Sequence, residues 1–246
     1  MKKSLVIIVF VSAYLLFLLA TIPASIIVSN VKLPNNILLG EVTGTVWMSE
    51  ISAVQVDDVI IENVAANLSF LSLLLLNPSV ELTFGDALVA GPEGKAKVSG
   101  LLSDLQITEA KVNVQANEIA KKLTFPVDVT AHSFLDITID EFIAGKPLCS
   151  QLAGRLTWAD AAITTFDNKV TLGDLSADLI CQQGEVMLTV VENNNLGLAF
   201  SAVFGQGGAM SGEGYLTPTE QLPEAIKQVL PFLGSPDQQG RYRIKL

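Results

Sequence analysis

Residues 5–28 form a run of 24 residues without a charged side chain. About 20 apolar residues span the ~30 Å hydrocarbon core of a bilayer, so this run is long enough to cross one with some tilt. A cleaved signal peptide would have a shorter apolar region, of about 7–15 residues, followed by a small-x-small cleavage site. The best candidate for such a site, around Pro23, is poor. The run therefore predicts an uncleaved transmembrane anchor over 5–28.

The basic residues that flank this run predict its orientation. Lys2 and Lys3 precede it, and Lys32 is the nearest basic residue on the other side. Because basic flanks favour the cytoplasm, residues 1–4 are expected inside the cell and residues 29–246 outside the cytoplasm. The outer part has 13 basic and 25 acidic residues, a formal charge of −12. This charge argues against nucleic acid as a partner, because phosphates attract lysine and arginine.

Motifs for common catalytic and cofactor sites are absent. The chain has no G-x-S-x-G, G-x-x-x-x-G-K-[ST], H-E-x-x-H or C-x-x-C, and one histidine with two cysteines cannot close a structural zinc site. Several polar residues could act as acid, base or cation ligand, but solvated strand faces explain them better; they are His132, Asp57 with Asp58, and Asp136 with Asp140 and Glu141. We expect no catalytic residue, no cofactor and no metal site.

Beyond the anchor, apolar and polar residues alternate with a period of two, which is typical of half-buried strands. The clearest stretch begins at Val127, where Ala131 and Leu135 share the apolar side, and another runs to Leu246 at the end of the chain. Turn-forming residues separate the runs, and no linker divides 29–246 into two domains. The pattern predicts a mainly β domain, a large and mostly antiparallel curved sheet. A few short helices are expected at 71–76, 116–123 and 223–232, the first of them buried.

The chain contains two cysteines, Cys149 and Cys181. Outside the cytoplasm the environment is oxidising, which allows them to pair. The alternative is two free buried thiols. We favour a disulfide between Cys149 and Cys181 because the anchor places both of them outside the cytoplasm.

The large aromatic and basic residues of the predicted strands have structural explanations. Trp47 and Trp158 are expected to pack in the core, which is the default for an indole on a strand. Arg241, Arg243 and Lys245 form a basic stripe on the last strand. Such a stripe protects the edge of a sheet from pairing with other chains.

Several short motifs follow the anchor in a defined order. They are Gly-Thr-Val-Trp at 44–47, Ala-Asn-Glu-Ile-Ala-Lys-Lys-Leu at 116–123, Pro-Leu-Cys at 147–149, Gly-Arg-Leu-Thr-Trp at 154–158, Leu-Ile-Cys at 179–181 and Gly-Arg-Tyr-Arg at 240–243. Along nearly its whole length the chain thereby resembles the general secretion pathway protein N family, a component of the type II secretion system of Gram-negative bacteria. The two cysteines around the Gly-x-Leu-x-Trp phrase are, together, the most specific part of the resemblance.

The resemblance implies a bitopic inner-membrane subunit with a periplasmic domain and a non-enzymatic part in exporting folded proteins across the outer membrane. Other inner-membrane subunits of the system are then the expected partners, docked through the anchor and through open sheet edges. The pattern of strands is also similar to the grooves of AsmA-type proteins, so a periplasmic lipid-binding groove is the alternative, with lipid as a further candidate partner. The two hypotheses differ in whether helices cover the apolar face of the sheet.

Overall fold

The structure, a computed structural model, describes residues 2–30, 33, 36–57, 59–86, 91–100, 105–123, 128–165, 168–206, 209–220 and 222–245, without the side chains at 2–4, 229 and 232. The described residues form five α-helices and fifteen strands. Some predictions fall outside this description; they concern the side chains of Lys2 and Lys3, and Lys32, Asp58, Val127 and Leu246.

The N-terminal apolar run forms two helices, α1 (Lys2–Ala20) and α2 (Ala24–Asn30). Pro23 lies between them. Proline has no amide hydrogen to donate and its ring clashes with the preceding turn, so one helix does not continue through it. The prediction of one transmembrane helix over 5–28 is thereby corrected to a pair of helices. Among the described residues, no helix has both the length and the apolar character needed to cross a membrane.

The chain groups into two compact units, Met1–Glu93 and Gly94–Leu246. The described strands of the first unit are β1 (Ile37–Leu39), β2 (Val42–Gly44), β3 (Met48–Val56), β4 (Val59–Leu68) and β5 (Ser79–Phe84). Strands β1 and β2 both pair with β3, β3 pairs with β4, and β4 pairs with β5, all antiparallel. A one-turn helix, α3 (Phe70–Leu74), connects β4 to β5.

The second unit is a run of antiparallel neighbours. Its strands are β6 (Glu93–Ser99), β7 (Gln106–Gln115), β8 (Thr130–His132), β9 (Phe134–Ala144), β10 (Cys149–Thr165), β11 (Asn168–Gln182), β12 (Glu185–Val190), β13 (Leu198–Phe204), β14 (Met210–Leu216) and β15 (Tyr242–Lys245). They lie in the order β6-β7-β9-β10-β11-β12-β13-β14-β15, and β8 pairs with β10. The pairings from β7 to β15 are all antiparallel.

Short helices cover apolar residues of this second unit. Helix α5 (Glu224–Val229) and the 3-10 helix Leu230–Leu233 lie against a cluster from β10, β11, β14 and the β12–β13 connection; its buried members are Ala161, Val170, Leu172, Leu196, Leu216, Leu222 and Leu230. Helix α4 (Ala116–Ala120) contributes Ala116 and Ala120 to a second cluster with Val114, Ala131 and Leu135. Each buried leucine stabilises the unit by about 1.5–3 kcal/mol relative to an exposed one.

The prediction of a mainly β, largely antiparallel protein with a few short helices is confirmed. Some boundaries differ. The alternating stretch is divided into β8 and β9 at Ser133, whose φ of +68° is left-handed, although Ala131 and Leu135 are buried as expected. Helix α4 is shorter than the predicted 116–123. Helix α5 ends at Val229, and the 3-10 helix that begins at Leu230 contains Pro231, which has no amide hydrogen to continue an α-helix.

Candidate functional site

The turn between β2 and β3, residues 44–47, carries the Gly-Thr-Val-Trp motif. Gly44 has a φ of +81°, a left-handed conformation that favours glycine. A Cβ at Gly44 would collide with the carbonyl oxygen of Met48. The amide of Thr45 donates a hydrogen bond of 2.9 Å to the same carbonyl and closes the turn. The geometry of the turn therefore requires the glycine of the motif.

This turn holds the end of helix α1. The indole Nε1 of Trp47 donates a hydrogen bond of 2.9 Å to the carbonyl oxygen of Leu19, and the amide of Val46 donates one of 3.0 Å to that of Ile22. The last four carbonyl groups of a helix have no partner within it and need one from elsewhere. The turn supplies one of these partners through a side chain, and it bonds the residues that follow α1 to the sheet.

Trp47 also contacts helix α3. The rings of Trp47 and Phe70 pack edge to face, with their centroids 5.4 Å apart. The carbonyl oxygen of Trp47 accepts a hydrogen bond of 3.0 Å from the amide of Leu68 at the end of β4. Trp47 is half-buried and packs against neither of the two core clusters of the described residues, so it differs from the core residue that we predicted. It instead joins α1, the end of β4 and α3.

Every apolar side chain from the start of α3 to residue 76 is exposed, from 38% at Leu73 to 88% at Leu76. We call this set the leucine patch; it consists of Phe70, Leu71, Leu73, Leu74, Leu75 and Leu76. Burial of a single leucine contributes about 1.5–3 kcal/mol, so the patch forgoes a large stabilisation in water. The prediction of a buried helix at 71–76 is wrong. The hydroxyl of Ser72 faces β5 instead, where it accepts a hydrogen bond of 2.9 Å from the amide of Ser79.

In the second unit, Cys149 and Cys181 form a disulfide, with their Cα atoms 6.0 Å apart. Cys149 begins β10 and is buried, and Cys181 lies near the end of β11. The amides of Leu148 and Cys149 donate hydrogen bonds of 2.9 and 3.1 Å to the carbonyl oxygen of Gly184. The disulfide thus joins the start of β10 to the end of β11, and the hydrogen bonds to Gly184 join the β9–β10 connection to the β11–β12 turn. The Pro-Leu-Cys motif at 147–149 and the Leu-Ile-Cys motif at 179–181 meet there.

His132 is half-buried on β8. Its Nε2 lies 2.7 Å from the hydroxyl oxygen of Thr164 on β10, and its carbonyl oxygen accepts a hydrogen bond of 2.8 Å from the indole of Trp158. Trp158 packs against both apolar clusters of the second unit, as expected of a core residue. These contacts give His132 a role in joining β8 to β10.

Two acidic residues of β9, Asp136 and Glu141, accept hydrogen bonds from neighbouring strands. Asp136 accepts one of 2.7 Å from the side-chain amide of Asn113, and Glu141 accepts one of 2.9 Å from Gln106 and another from Gln151. Carboxylates engaged in this way hold strands together. In the part of the chain that the structure describes, no three residues of the types His, Cys, Asp or Glu are grouped so that they could hold a metal ion.

A groove of about 430 Å³ lies on β2, β3 and β4 of the first unit. Its lining is Glu41, Thr43, Glu50, Ile51, Ser52, Asn63, Val64 and Ala65. Sites for apolar ligands are lined mainly by hydrophobic and aromatic side chains. This groove combines the apolar residues Ile51, Val64 and Ala65 with two carboxylates and three other polar side chains, so its lining is mixed.

A turn before β15 is closed by Asp237. Its Oδ1 accepts hydrogen bonds of 2.9 Å from the amides of Gln239 and Arg241, and its Oδ2 accepts one of 2.9 Å from Nε of Arg241. The hydrogen bond from the Arg241 amide is the main cause that lowers the pKa of Asp237, and the Arg241 side chain adds to it. The ionised carboxylate therefore orders this turn.

The predicted basic stripe lies on and beside β15, the last strand in the order of the second unit. The guanidinium carbon of Arg241 lies 4.3 Å from the ring centroid of Tyr215, and Arg243 pairs with Glu213 at 3.0 Å. Lys245 is the register partner of Glu213 on β14. The stripe is thus attached to the neighbouring strand, at the position where charged residues oppose further strand pairing.

Two features of the first unit were not predicted from the sequence: the hydrogen bond from Trp47 to Leu19 and the exposure of the leucine patch. The bond from Trp47 to Leu19 joins residues 28 positions apart, and no periodic pattern marks such a contact. The exposure of the leucine patch had a detectable signal, because no charged residue occurs between Glu62 and Glu81. A charge-free apolar segment of this kind is compatible both with burial in the core and with exposure.

Comparisons with known proteins match the same family, type II secretion system protein N, along nearly the whole chain. The family model described as "Type II secretion system (T2SS), protein N" matches residues 35–245. A type II secretion system protein N from Aeromonas hydrophila is 32% identical over 258 residues, which cover 99% of this chain and 97% of the relative. The protein of that name from Vibrio cholerae is 25% identical over 222 residues, covering 90% and 88%. No solved structure matches this chain.

Proposed function

The chain belongs to the type II secretion system protein N family, and we propose that it is a bitopic inner-membrane subunit with a structural role in assembling this system. In this proposal, residues 1–4 lie in the cytoplasm, 5–28 anchor the chain in the inner membrane and 29–246 lie in the periplasm. The subunit contributes to the export of folded proteins across the outer membrane, and its partners are other inner-membrane subunits of the system.

The structural role rests on one observation, the set of hydrogen bonds that joins the end of α1 to the β2–β3 turn within the first unit. Trp47 caps the Leu19 carbonyl group, the Val46 amide bonds to Ile22, and Pro23 forms a β-bridge with Thr45. A flexible linker would be enough for a domain that only has to remain near the membrane. A connection made through backbone hydrogen bonds instead holds the sheet in a defined position relative to the N-terminal helices, as a scaffold subunit requires.

The anchor itself is supported by sequence and by exposure. The run 5–28 carries no charge, and the large apolar side chains of α1 are all exposed, as at Phe10 and Phe17. Apolar side chains that cover a helix on every side are typical of a segment surrounded by other apolar material. The pair Lys2 and Lys3 supports a cytoplasmic amino terminus.

The pairing of Cys149 with Cys181 supports a periplasmic location for the second unit, since disulfides persist in oxidising compartments and are rare in the cytosol. The alternative of a lipid-binding groove has less support. Helices α4 and α5 cover apolar residues of the second unit, and the mixed lining of the first unit's groove includes the carboxylates of Glu41 and Glu50. A structural subunit fits these features better.

Photocrosslinking in cells tests the proposal. A photoreactive amino acid is placed in the full chain at Leu38 on β1 or at Met210 on β14, which are exposed positions, one in each unit. A matched control places it at Ala161, which is fully buried. We expect crosslinks to other inner-membrane secretion subunits from at least one exposed position and none from the control. Deleting the chain should also lower the export of substrate proteins.

The proposal fails if the exposed positions crosslink to no secretion subunit and export is unchanged in the deletion strain. Crosslinks to phospholipid alone from both strand positions would instead favour the lipid-binding alternative.

A further inference from the structure

The leucine patch at 70–76 takes no part in the contacts that support the proposed structural role. We propose that it is a second membrane contact, which inserts between the headgroups and acyl chains of the bilayer that holds α1. This inference rests on the proposed membrane anchor and extends it. The occupant of the patch is the phospholipid surface itself.

The position of the patch relative to the anchor supports this assignment. Trp47 donates its indole hydrogen to Leu19 near the end of α1, and the same indole packs on Phe70, the first residue of α3. A single side chain therefore separates the end of α1 from the start of the patch. Leu19 lies in the half of the proposed anchor, 5–28, that is nearer the periplasm, so the patch is held on that side of the bilayer. Tryptophan favours the membrane interface because its ring is apolar and its N–H is polar.

The charge distribution points the same way. No charged residue occurs between Glu62 and Glu81, in an extracytoplasmic part with a formal charge of −12. Exposed loops of an acidic domain ordinarily carry part of its charge. An uncharged, leucine-rich loop avoids repulsion by anionic phospholipids and offers apolar side chains to the boundary of the acyl chains.

Several backbone groups at the two ends of the loop have partners within the fold, which an apolar environment favours. Ser69 begins the helix and accepts a hydrogen bond at its hydroxyl from the amide of Ser72, and its amide donates to the carbonyl of Ser79 across 2.9 Å. At the other end, the amides of Leu76 and Asn77 each donate across 3.0 Å to carbonyl groups of the preceding turn. The serines thus face the base of the loop, and the leucines face outward.

Leu76 shows that the exposed leucines are not simply tolerated. It has a φ of +58° at the position after the helix end, where glycine is the usual residue. The hydrogen bonds from Leu76 to Leu73 and from Asn77 to Ser72 form the Schellman pattern. A leucine in this conformation is strained, and here its side chain is 88% exposed. Backbone strain of this kind is concentrated at functional sites, and Leu76 combines it with an apolar side chain exposed to solvent.

A fluorescence experiment on the full chain tests the inference. One cysteine is introduced by Leu74→Cys, labelled with nitrobenzoxadiazole without reductant, and the protein is reconstituted in vesicles of phosphatidylethanolamine and phosphatidylglycerol. Leu38→Cys, on β1, is the matched control, since Leu38 is a similarly exposed leucine outside the patch. We expect doxyl lipids to quench the label at 74 about twofold, with blue-shifted emission, and to leave the label at 38 unquenched.

A third label distinguishes the inference from the anchor on which it rests. Ser12→Cys places the dye in α1, where deep doxyl groups quench it if the helix lies in the membrane. Quenching at 12 without quenching at 74 overturns the inference and leaves the anchor in place. Quenching at neither position overturns both. Quenching at 74 alone overturns the anchor, and with it the inference that the patch contacts the bilayer that holds α1. Equal signals at 74 and 38 overturn the inference as well.

Discussion

The indole nitrogen of Trp47 lies 2.9 Å from the carbonyl oxygen of Leu19, which precedes it by 28 residues. Through this bond, the β2–β3 turn caps the carboxyl-terminal end of helix α1. The same ring packs on Phe70 at the start of the leucine patch. One residue therefore determines how the helix end, the sheet and the patch are arranged within the first unit.

Trp47→Phe removes this hydrogen bond and keeps an aromatic ring against Phe70. Because the Leu19 carbonyl loses its partner, we expect a loss of about 0.5–1.5 kcal/mol of local stability. Amide hydrogen exchange over residues 20–30 should become faster in the detergent-solubilised full chain. Trp158→Phe is the control, since it loses a comparable indole bond to the His132 carbonyl in the second unit. Equal exchange at 20–30 in both variants would contradict the role of Trp47.

Leu76→Gly and Leu74→Gly should have opposite effects on stability. Glycine at 76 relieves a left-handed leucine, so we expect the free energy of unfolding in detergent to rise by about 1 kcal/mol. Glycine at 74 lies within the helix and should lower it by about the same amount. Denaturant unfolding measures both. If Leu76→Gly and Leu74→Gly changed the free energy of unfolding in the same direction, the argument about strain would be refuted. In vesicles, Leu76→Gly should also reduce the quenching of a label at position 74.

Removing the disulfide should destabilise the second unit. Cys149 and Cys181 are 32 residues apart, and closing a loop of this length contributes roughly 3.5–4 kcal/mol in the chain-entropy treatment. We therefore expect the variant with Cys149→Ala and Cys181→Ala to unfold at lower denaturant concentration, as the reduced wild-type chain does. Reductant should not destabilise this variant further. Alkylation of the native protein without reductant would show that the thiols are free and would rule out this prediction.

Acid should loosen the turn before β15. The pKa of Asp237 lies below its ordinary value of 3.8, chiefly because the ionised carboxylate accepts the Arg241 amide. A lowered pKa in the folded state means that the stabilisation is present above pH 3.8 and is lost as pH falls through the folded-state pKa. Amide exchange at Gln239 and Arg241 should therefore become faster on acidification. Asp237→Asn should lack this pH dependence, and an identical acid response in both proteins would count against it.

The outcome of the helix predictions shows where local pattern is sufficient. The segment 223–232 has apolar residues at helical spacing, and α5 with the following 3-10 helix packs Ala225, Ile226 and Leu230 against the core. The segment 71–76 is equally apolar, yet its leucines are exposed. Hydrophobicity is a property of the side chain alone, so it is the same whether protein or lipid covers the residue. The choice between burial and exposure depends on what surrounds the segment.

The sequence by itself determined the antiparallel strands, the absence of known catalytic motifs, the family, and two cysteines available for pairing, because alternation, motif order and composition are local or countable properties. Only the tertiary structure decided that Pro23 divides the N-terminal helices, that Trp47 caps α1, and that the leucine patch is exposed and begins at a residue that packs on Trp47. These features depend on contacts between residues far apart in the chain. Strand register and turn geometry produce such contacts, and no short window of sequence encodes them.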